Sequence, residues 1–86
     1  MVLAYNISFE LKSRKSFNKL EKVIKNKIGQ KIEQLKKNPF IGKPLTGKFK
    51  GKFRLRIDKY RIIYKVHNNI LLILILDIGH RKNVYD

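Results

Sequence analysis

The sequence predicts an α+β domain: a small antiparallel sheet in the chain order β-α-α-β-β-β, with two helices packed on one of its faces. Three observations predict it. Tyr5, Ile7 and Phe9 alternate with Asn6 and Ser8 at the two-residue period of a strand. Phe17, Leu20, Ile24, Ile28, Ile32 and Leu35 then recur every three or four residues with Lys filling the gaps, the pattern of an amphipathic helix. Beyond Pro39 the apolar residues return to the strand period in three runs separated by short polar breaks.

Taken in order, the first strand is expected over about residues 3–9, with Ser13 or Ser16 capping the helix behind it. Asn26 and Gly29 weaken the middle of the long helical stretch, so a break is expected near residues 22–26, letting two helices pack antiparallel over the sheet. Asn38-Pro39 stops the second helix, because the residue before a proline is driven out of the α region. Pro39 to Gly51 reads as a loop studded with Lys43, Lys48 and Lys50, with Lys52 directly after it. Strands are expected at about 51–57, 60–67 and 70–78, joined by tight turns at Asp58-Lys59 and Asn68-Asn69 into a meander. The last of them is apolar on both faces and belongs inside the sheet. Residues 79–86 form a short basic tail ending near an aromatic.

Eighty-six residues make one domain, 1–86, large enough for a single modest core. Twenty-one Lys and Arg stand against six Asp and Glu, a formal net charge of +15. Internal pairing cannot absorb that excess, so an anionic partner is expected: nucleic acid first, an acidic protein second. Without cysteine, neither disulfides nor thiolate metal sites are available, and His67 and His80 lack clustered carboxylates, so no metal or cofactor is expected. Asn6, Glu10 and Lys12 interrupt any leader-like apolar run, and the longest apolar run, Ile70 to Leu76, is far short of a membrane span. A cytoplasmic chain without a membrane partner is the expectation.

The chemistry concentrates in Lys52-Phe53-Arg54-Leu55-Arg56-Ile57 and Tyr60-Arg61-Ile62-Ile63-Tyr64. At strand period Phe53, Leu55 and Ile57 point one way and Arg54 and Arg56 the other; Arg61 and Lys65 alternate away from Tyr60, Ile62, Tyr64 and Val66. Four of the five arginines lie in the last thirty-three residues, whereas the helices carry mostly lysine. Arginine forks two parallel donors onto a phosphate, and lysine acts more as a point charge, so the split suggests phosphate clamping on the sheet and general steering elsewhere. The plain alternative is a solvated strand face that carries arginine for solubility. Tyr85 either caps the sheet or stacks on a base, and Tyr60 and Tyr64 read as core or core-edge. His80 stands beside the basic cluster as a group able to exchange a proton near neutral pH, or else points away from it. No P-loop, dinucleotide fingerprint or serine-histidine-aspartate pattern is present. Catalysis resting on arginines restricts the reaction: RNA supplies its own 2′-hydroxyl nucleophile and needs placement in line, charge stabilisation and proton transfers.

The glycine-rich basic loop, Leu45-Thr46-Gly47 running to Gly51-Lys52-Phe53-Arg54-Leu55-Arg56, Tyr60-Arg61-Ile62-Ile63-Tyr64, Ile78-Gly79-His80-Arg81 and the terminal Tyr85 together resemble the RelE-type toxins of the RelE/ParE superfamily. The resemblance extends over nearly the whole chain. It implies the toxin of a type II toxin–antitoxin module, an endoribonuclease that enters the ribosomal A site and cuts messenger RNA by 2′-hydroxyl attack, leaving a 2′,3′-cyclic phosphate and a 5′-hydroxyl. It implies two partners, the ribosome and an acidic, RelB-like antitoxin. By the same resemblance Arg61 stabilises charge at the scissile phosphate, Arg81 does likewise or assists the leaving group, Tyr85 orients the 2′-hydroxyl or stacks on a base, and Arg56 and Arg54 occupy two positions that are lysines in the best-known members. Lys48, Lys50, Lys52, Lys65 and His80 complete the expected RNA-binding set. The departure at Arg56 matters, because a guanidinium stays protonated and makes a poor general base. Two rival readings are a ParE-like toxin acting on DNA gyrase and a nucleic-acid- or antitoxin-binding module without catalysis.

Overall fold

The computed structural model describes residues 4–80. The chain runs through β1 (Asn6–Phe9), α1 (Leu11–Asn18), α2 (Lys22–Lys37), β2 (Lys43–Pro44), β3 (Phe53–Ile57), β4 (Tyr60–His67) and β5 (Leu72–His80). The strands form one sheet in the order β1-β5-β4-β3-β2. The expected meander holds for β3, β4 and β5, which pair antiparallel through consecutive hairpins. The sheet as a whole is mixed rather than antiparallel. After the helical return, β1 lies on the outer edge of β5 and parallel to it, with Ile7 opposite Ile73 and Phe9 opposite Ile75.

The helices form because one apolar stripe meets one apolar sheet face. Ile28, Ile32 and Leu35 of α2 are buried against Ile57, Ile62, Tyr64, Ile73, Ile75 and Ile78, with Phe17, Leu20 and Ile24 packed at the margin. The helix break falls at residues 19–21, just before the expected position. The Lys19 and Leu20 amides close α1 by donating to the Ser16 and Phe17 carbonyls at 3.3 and 3.2 Å, three residues back, and Glu21 turns extended at the start of α2. Asn26 and Gly29 sit inside α2, where the stripe outweighs a glycine penalty of about 1 kcal/mol. Neither expected serine cap forms, since Glu10 holds the N-cap position of α1. Ser13 lies one turn in and fully buried, its hydroxyl 2.8 Å from the carbonyl oxygens of both Glu10 and Ile75. That contact pins the start of α1 beside β5 where β1 ends.

Three further differences have local causes. The connection after β4 is a 3-10 turn over Asn68–Ile70 followed by Leu71 in the left-handed region (φ 50), not a two-residue turn. The Asp58-Lys59 turn forms as expected, with Asp58 at φ 53. β2, two residues long, pairs with β3 where a loop was expected. Finally, β5 carries one extra residue: Tyr64 pairs Ile75, yet Ile63 pairs Asp77, leaving Leu76 as a bulge. The bulge explains a spacing that a flat strand would not allow. Ile75 and Ile78, three residues apart, both enter the helix-side core, while Asp77 and Gly79 turn to the opposite face.

Candidate nucleic-acid interface

The sheet face turned away from the helices collects the arginines, and the ladder register sets their order. Arg56 stands directly opposite Arg61, and Arg61 opposite Gly79. In the next row Lys43 is opposite Arg54, Arg54 opposite Ile63, and Ile63 opposite Asp77. Opposed residues of an antiparallel pair share a face, so these two rows put cations from β2, β3 and β4 side by side. Like charges directly opposite one another cost stability, and a bound anion offsets that cost. Arg56 is exposed and Arg54 half-buried.

Arg61 does not wait on an open face. It is 1% exposed, and its guanidinium donates to the backbone carbonyl of His80. The room comes from Gly79, where an added Cβ would lie 3.8 Å from the Arg61 Nη1 atom. Arg61 is therefore a buried, fixed charge directly across the ladder from Arg56. Asp77, 8% exposed, is the one carboxylate in these two rows, and Lys12 approaches it from α1 at 3.9 Å. Lys65 shares the face of Arg61 but lies four residues along β4, roughly 13 Å away at strand rise.

The basic loop is built, not slack. Gly47 (φ 64) and Gly51 (φ 94) supply the left-handed backbone at either end of a short 3-10 turn, and Leu45 donates its amide to Lys52 across the loop mouth at 2.9 Å. Lys48 and Lys52 place their ammonium groups 5.2 and 5.6 Å from the Phe49 ring centre, while Lys50 is exposed. This loop leads straight into β3 and carries its lysines to the end of the strand that bears Arg54 and Arg56.

His80 is placed apart from the arginines. It is paired with Tyr60, their rings 5.6 Å apart, which sets the imidazole on the helix side of the sheet. The bulge in β5 causes this, since alternation counted straight from Ile75 would set His80 on the other face. Tyr64 is fully buried core, and Tyr60 lies at its edge. Burial raises the Tyr64 phenol above 10.0, partly opposed by the hydrogen bond it receives from the Gly42 amide. The expectations placed on Arg81 and Tyr85 lie outside the described residues. Among the described residues no three His, Asp or Glu side chains cluster as metal ligands would, and no helix is long and apolar enough to cross a membrane. Lys43, which sequence reasoning left in a loop, is the functional candidate that it missed. Its only signal was proximity to Pro44 at a sheet edge, which does not fix register.

Known proteins resemble this chain in sequence and in fold. The family model of the ParE toxin of type II toxin-antitoxin system, parDE, matches residues 7–85. Toxin RelG of Mycobacterium tuberculosis (strain ATCC 25618 / H37Rv) is 26% identical over 85 residues, covering 96% of this chain and 98% of that protein. The mRNA interferase toxin RelE of Escherichia coli (strain K12) is 24% identical over 85 residues, covering 93% and 86%. Among solved structures, a chain of the toxin–antitoxin complex RelBE2 from Mycobacterium tuberculosis superposes with a TM-score of 0.85 at 26% identity, covering 96% of this chain and 98% of that one. The isolated E. coli RelE toxin gives 0.81 at 17% identity, covering 95% and 89%, a likeness of fold.

Proposed function

The chain belongs to the family of ParE toxins of type II toxin–antitoxin systems and is a RelE-type toxin of the RelE/ParE superfamily, and from that premise we propose that it is a ribosome-dependent endoribonuclease that cuts messenger RNA in the A site. The observation that carries the proposal is the pair of ladder rows that opposes Arg56 to Arg61 and sets Arg54 beside them on one sheet face. Relatives whose names denote an mRNA interferase support the reaction class.

In this reading the exposed Arg56 and half-buried Arg54 grip the phosphate, and the buried charge of Arg61, across the ladder from Arg56, stabilises the charge that develops on its oxygens. The 2′-oxygen forms a bond to phosphorus, the bond from phosphorus to the 5′-oxygen breaks, and the products are a 2′,3′-cyclic phosphate and a 5′-hydroxyl. A guanidinium does not carry the proton. His80 is turned toward Tyr60 on the other side of the sheet, so orientation of the 2′-hydroxyl falls to Tyr85, whose phenolate form takes the 2′-proton and returns it to the leaving 5′-oxygen, directly or through water, while Arg81 stabilises the charge on that oxygen. Lys48, Lys50, Lys52 and Lys65 contribute backbone contacts and steering. The partners proposed are the ribosome and an acidic antitoxin, supported by a net charge of +15 and by the toxin–antitoxin complex among the similar structures.

The test is to map messenger ends in a translating extract given the purified chain. Discrete cuts inside ribosome-occupied codons are expected. The matching family model is named for ParE, which favours gyrase inhibition as a second reading. Loss of DNA supercoiling by gyrase with uncut messenger would establish that reading instead.

A further inference from the structure

The two-residue strand β2 has little to hold it in place. Pro44 has no amide to donate, and only Lys43↔Arg54 and Pro44↔Phe53 pair with β3. What fixes it lies one strand further in. The Tyr64 hydroxyl, on β4 and 0% exposed, donates to the Pro39 carbonyl at 2.8 Å and accepts the Gly42 amide at 3.0 Å. One phenol thus ties both ends of the segment that precedes β2. Gly42 is required at that point, because a Cβ there would lie 2.5 Å from the Tyr64 hydroxyl and 2.9 Å from the Arg54 carbonyl oxygen. Phe53 fills the remaining space, stacked on Tyr64 at 5.3 Å and meeting Phe40 edge-on at 5.6 Å.

The outcome of this clasp is the placement of Lys43. It is exposed, shares a face with Arg54 and makes no ion pair or hydrogen bond through its ammonium among the described residues. A freely solvated lysine on a floppy loop would cost binding entropy when it met a ligand, whereas one held in a ladder row is already in place. We infer that Lys43 is a further RNA-binding residue, contacting the phosphate that adjoins the one gripped by Arg54 and Arg56, and that the buried Tyr64 hydroxyl is its positioning group. This rests on the nucleic-acid reading of the sheet face.

The probe is a fluorescein-labelled, fully 2′-O-methyl single-stranded oligonucleotide, which binds but cannot be cut, titrated between 50 and 200 mM salt. Each phosphate contact on a single strand contributes about 0.7 to the slope of log affinity against log salt. Lys43→Gln is expected to lower that slope by about 0.7 and to weaken binding about 5-fold at 100 mM salt. Lys22→Gln, at the exposed start of α2, removes the same charge and is expected to keep the wild-type slope. Tyr64→Phe removes no charge yet is expected to reproduce the slope change of Lys43→Gln with its circular dichroism spectrum retained, an outcome that mere loss of stability in a folded chain would not give. Lys43→Arg is expected to restore the slope. If wild type binds and Lys43→Gln keeps its slope, the inference about Lys43 is overturned while the sheet-face reading stands. A folded Tyr64→Phe with the wild-type slope overturns the positioning role. A Tyr64→Phe chain that loses its circular dichroism spectrum overturns that role too, since the hydroxyl would then hold the whole fold rather than β2. Salt-independent or absent binding by wild type overturns both readings together.

Discussion

Two glycine-to-alanine substitutions in this chain should move stability in opposite directions. At Gly42 the new methyl group would sit 2.5 Å from the Tyr64 hydroxyl and 2.9 Å from the Arg54 carbonyl oxygen. Neither neighbour can step aside cheaply: the phenol is fully buried and twice hydrogen-bonded, and the carbonyl is backbone of β3, an interior strand of the sheet. Relief therefore requires moving the 39–42 segment, which leaves a buried hydroxyl unsatisfied at about 1–3 kcal/mol and disturbs packing at a similar cost. Taking about 3 kcal/mol and an unfolding entropy of about 2.1 cal/mol/K per residue over 86 residues, Tm should fall by roughly 15 °C. At Gly29, within α2, no atom lies within 4 Å of the added carbon, and the helix favours alanine by about 0.5–1 kcal/mol. Gly29→Ala should raise Tm by about 3–5 °C. Thermal melts followed by circular dichroism decide the matter. Equal small shifts for both variants would show that the Tyr64 clasp is not as tight as its contacts indicate.

Three other outcomes follow from the same contacts. Ser13→Ala, which removes a buried hydroxyl shared by the Glu10 and Ile75 carbonyls, should cost about 1–2 kcal/mol in urea unfolding; no loss would mean that the hydroxyl adds nothing to the backbone amides those carbonyls already accept. Because folding raises the Tyr64 phenol above its ordinary 10.0, the folded state holds its proton more tightly than the unfolded chain. Its contribution is fully present below pH 10 and is lost as pH rises through the folded value, so wild type should lose stability above pH 10 more steeply than Tyr64→Phe. Parallel curves for the two proteins would contradict this. Arg56→Ala should lower messenger cleavage by about 10²-fold or more, the order for losing a charged donor to the transition state, whereas Lys15→Ala on α1, off the arginine-bearing face, should leave cleavage within about 2-fold of wild type.

Much of this was legible in the sequence, because the elements that carry function are long and strongly periodic. The stripe from Phe17 to Leu35 and the alternation through Phe53–Ile57 and Tyr60–Val66 each specify one apolar face, and the arginines follow by exclusion. What escaped depends on contacts distant in sequence. The bulge at Leu76 answers to the end of β1 and the start of α1 beside β5, and it alone decides which side His80 takes. Ser13 looked like a cap because its type favours one, yet the Ile75 carbonyl claimed it. Arg61 alternates as a surface residue would, but Gly79 across the ladder gives its guanidinium a buried seat. Lys43 entered the site only through pairing with Arg54, a register held by a tyrosine more than twenty residues away in sequence.

The central claim is that the arginine-bearing sheet face holds the phosphate that is cut. Its most direct test compares messenger ends in a translating extract for wild type, Arg56→Ala and Lys15→Ala, with the 3′ ends read by mass spectrometry. The account predicts cuts within ribosome-bound codons ending in 2′,3′-cyclic phosphate, nearly abolished by Arg56→Ala and retained by Lys15→Ala. Undiminished cutting by Arg56→Ala, or cut ends carrying a 3′-hydroxyl, would contradict it.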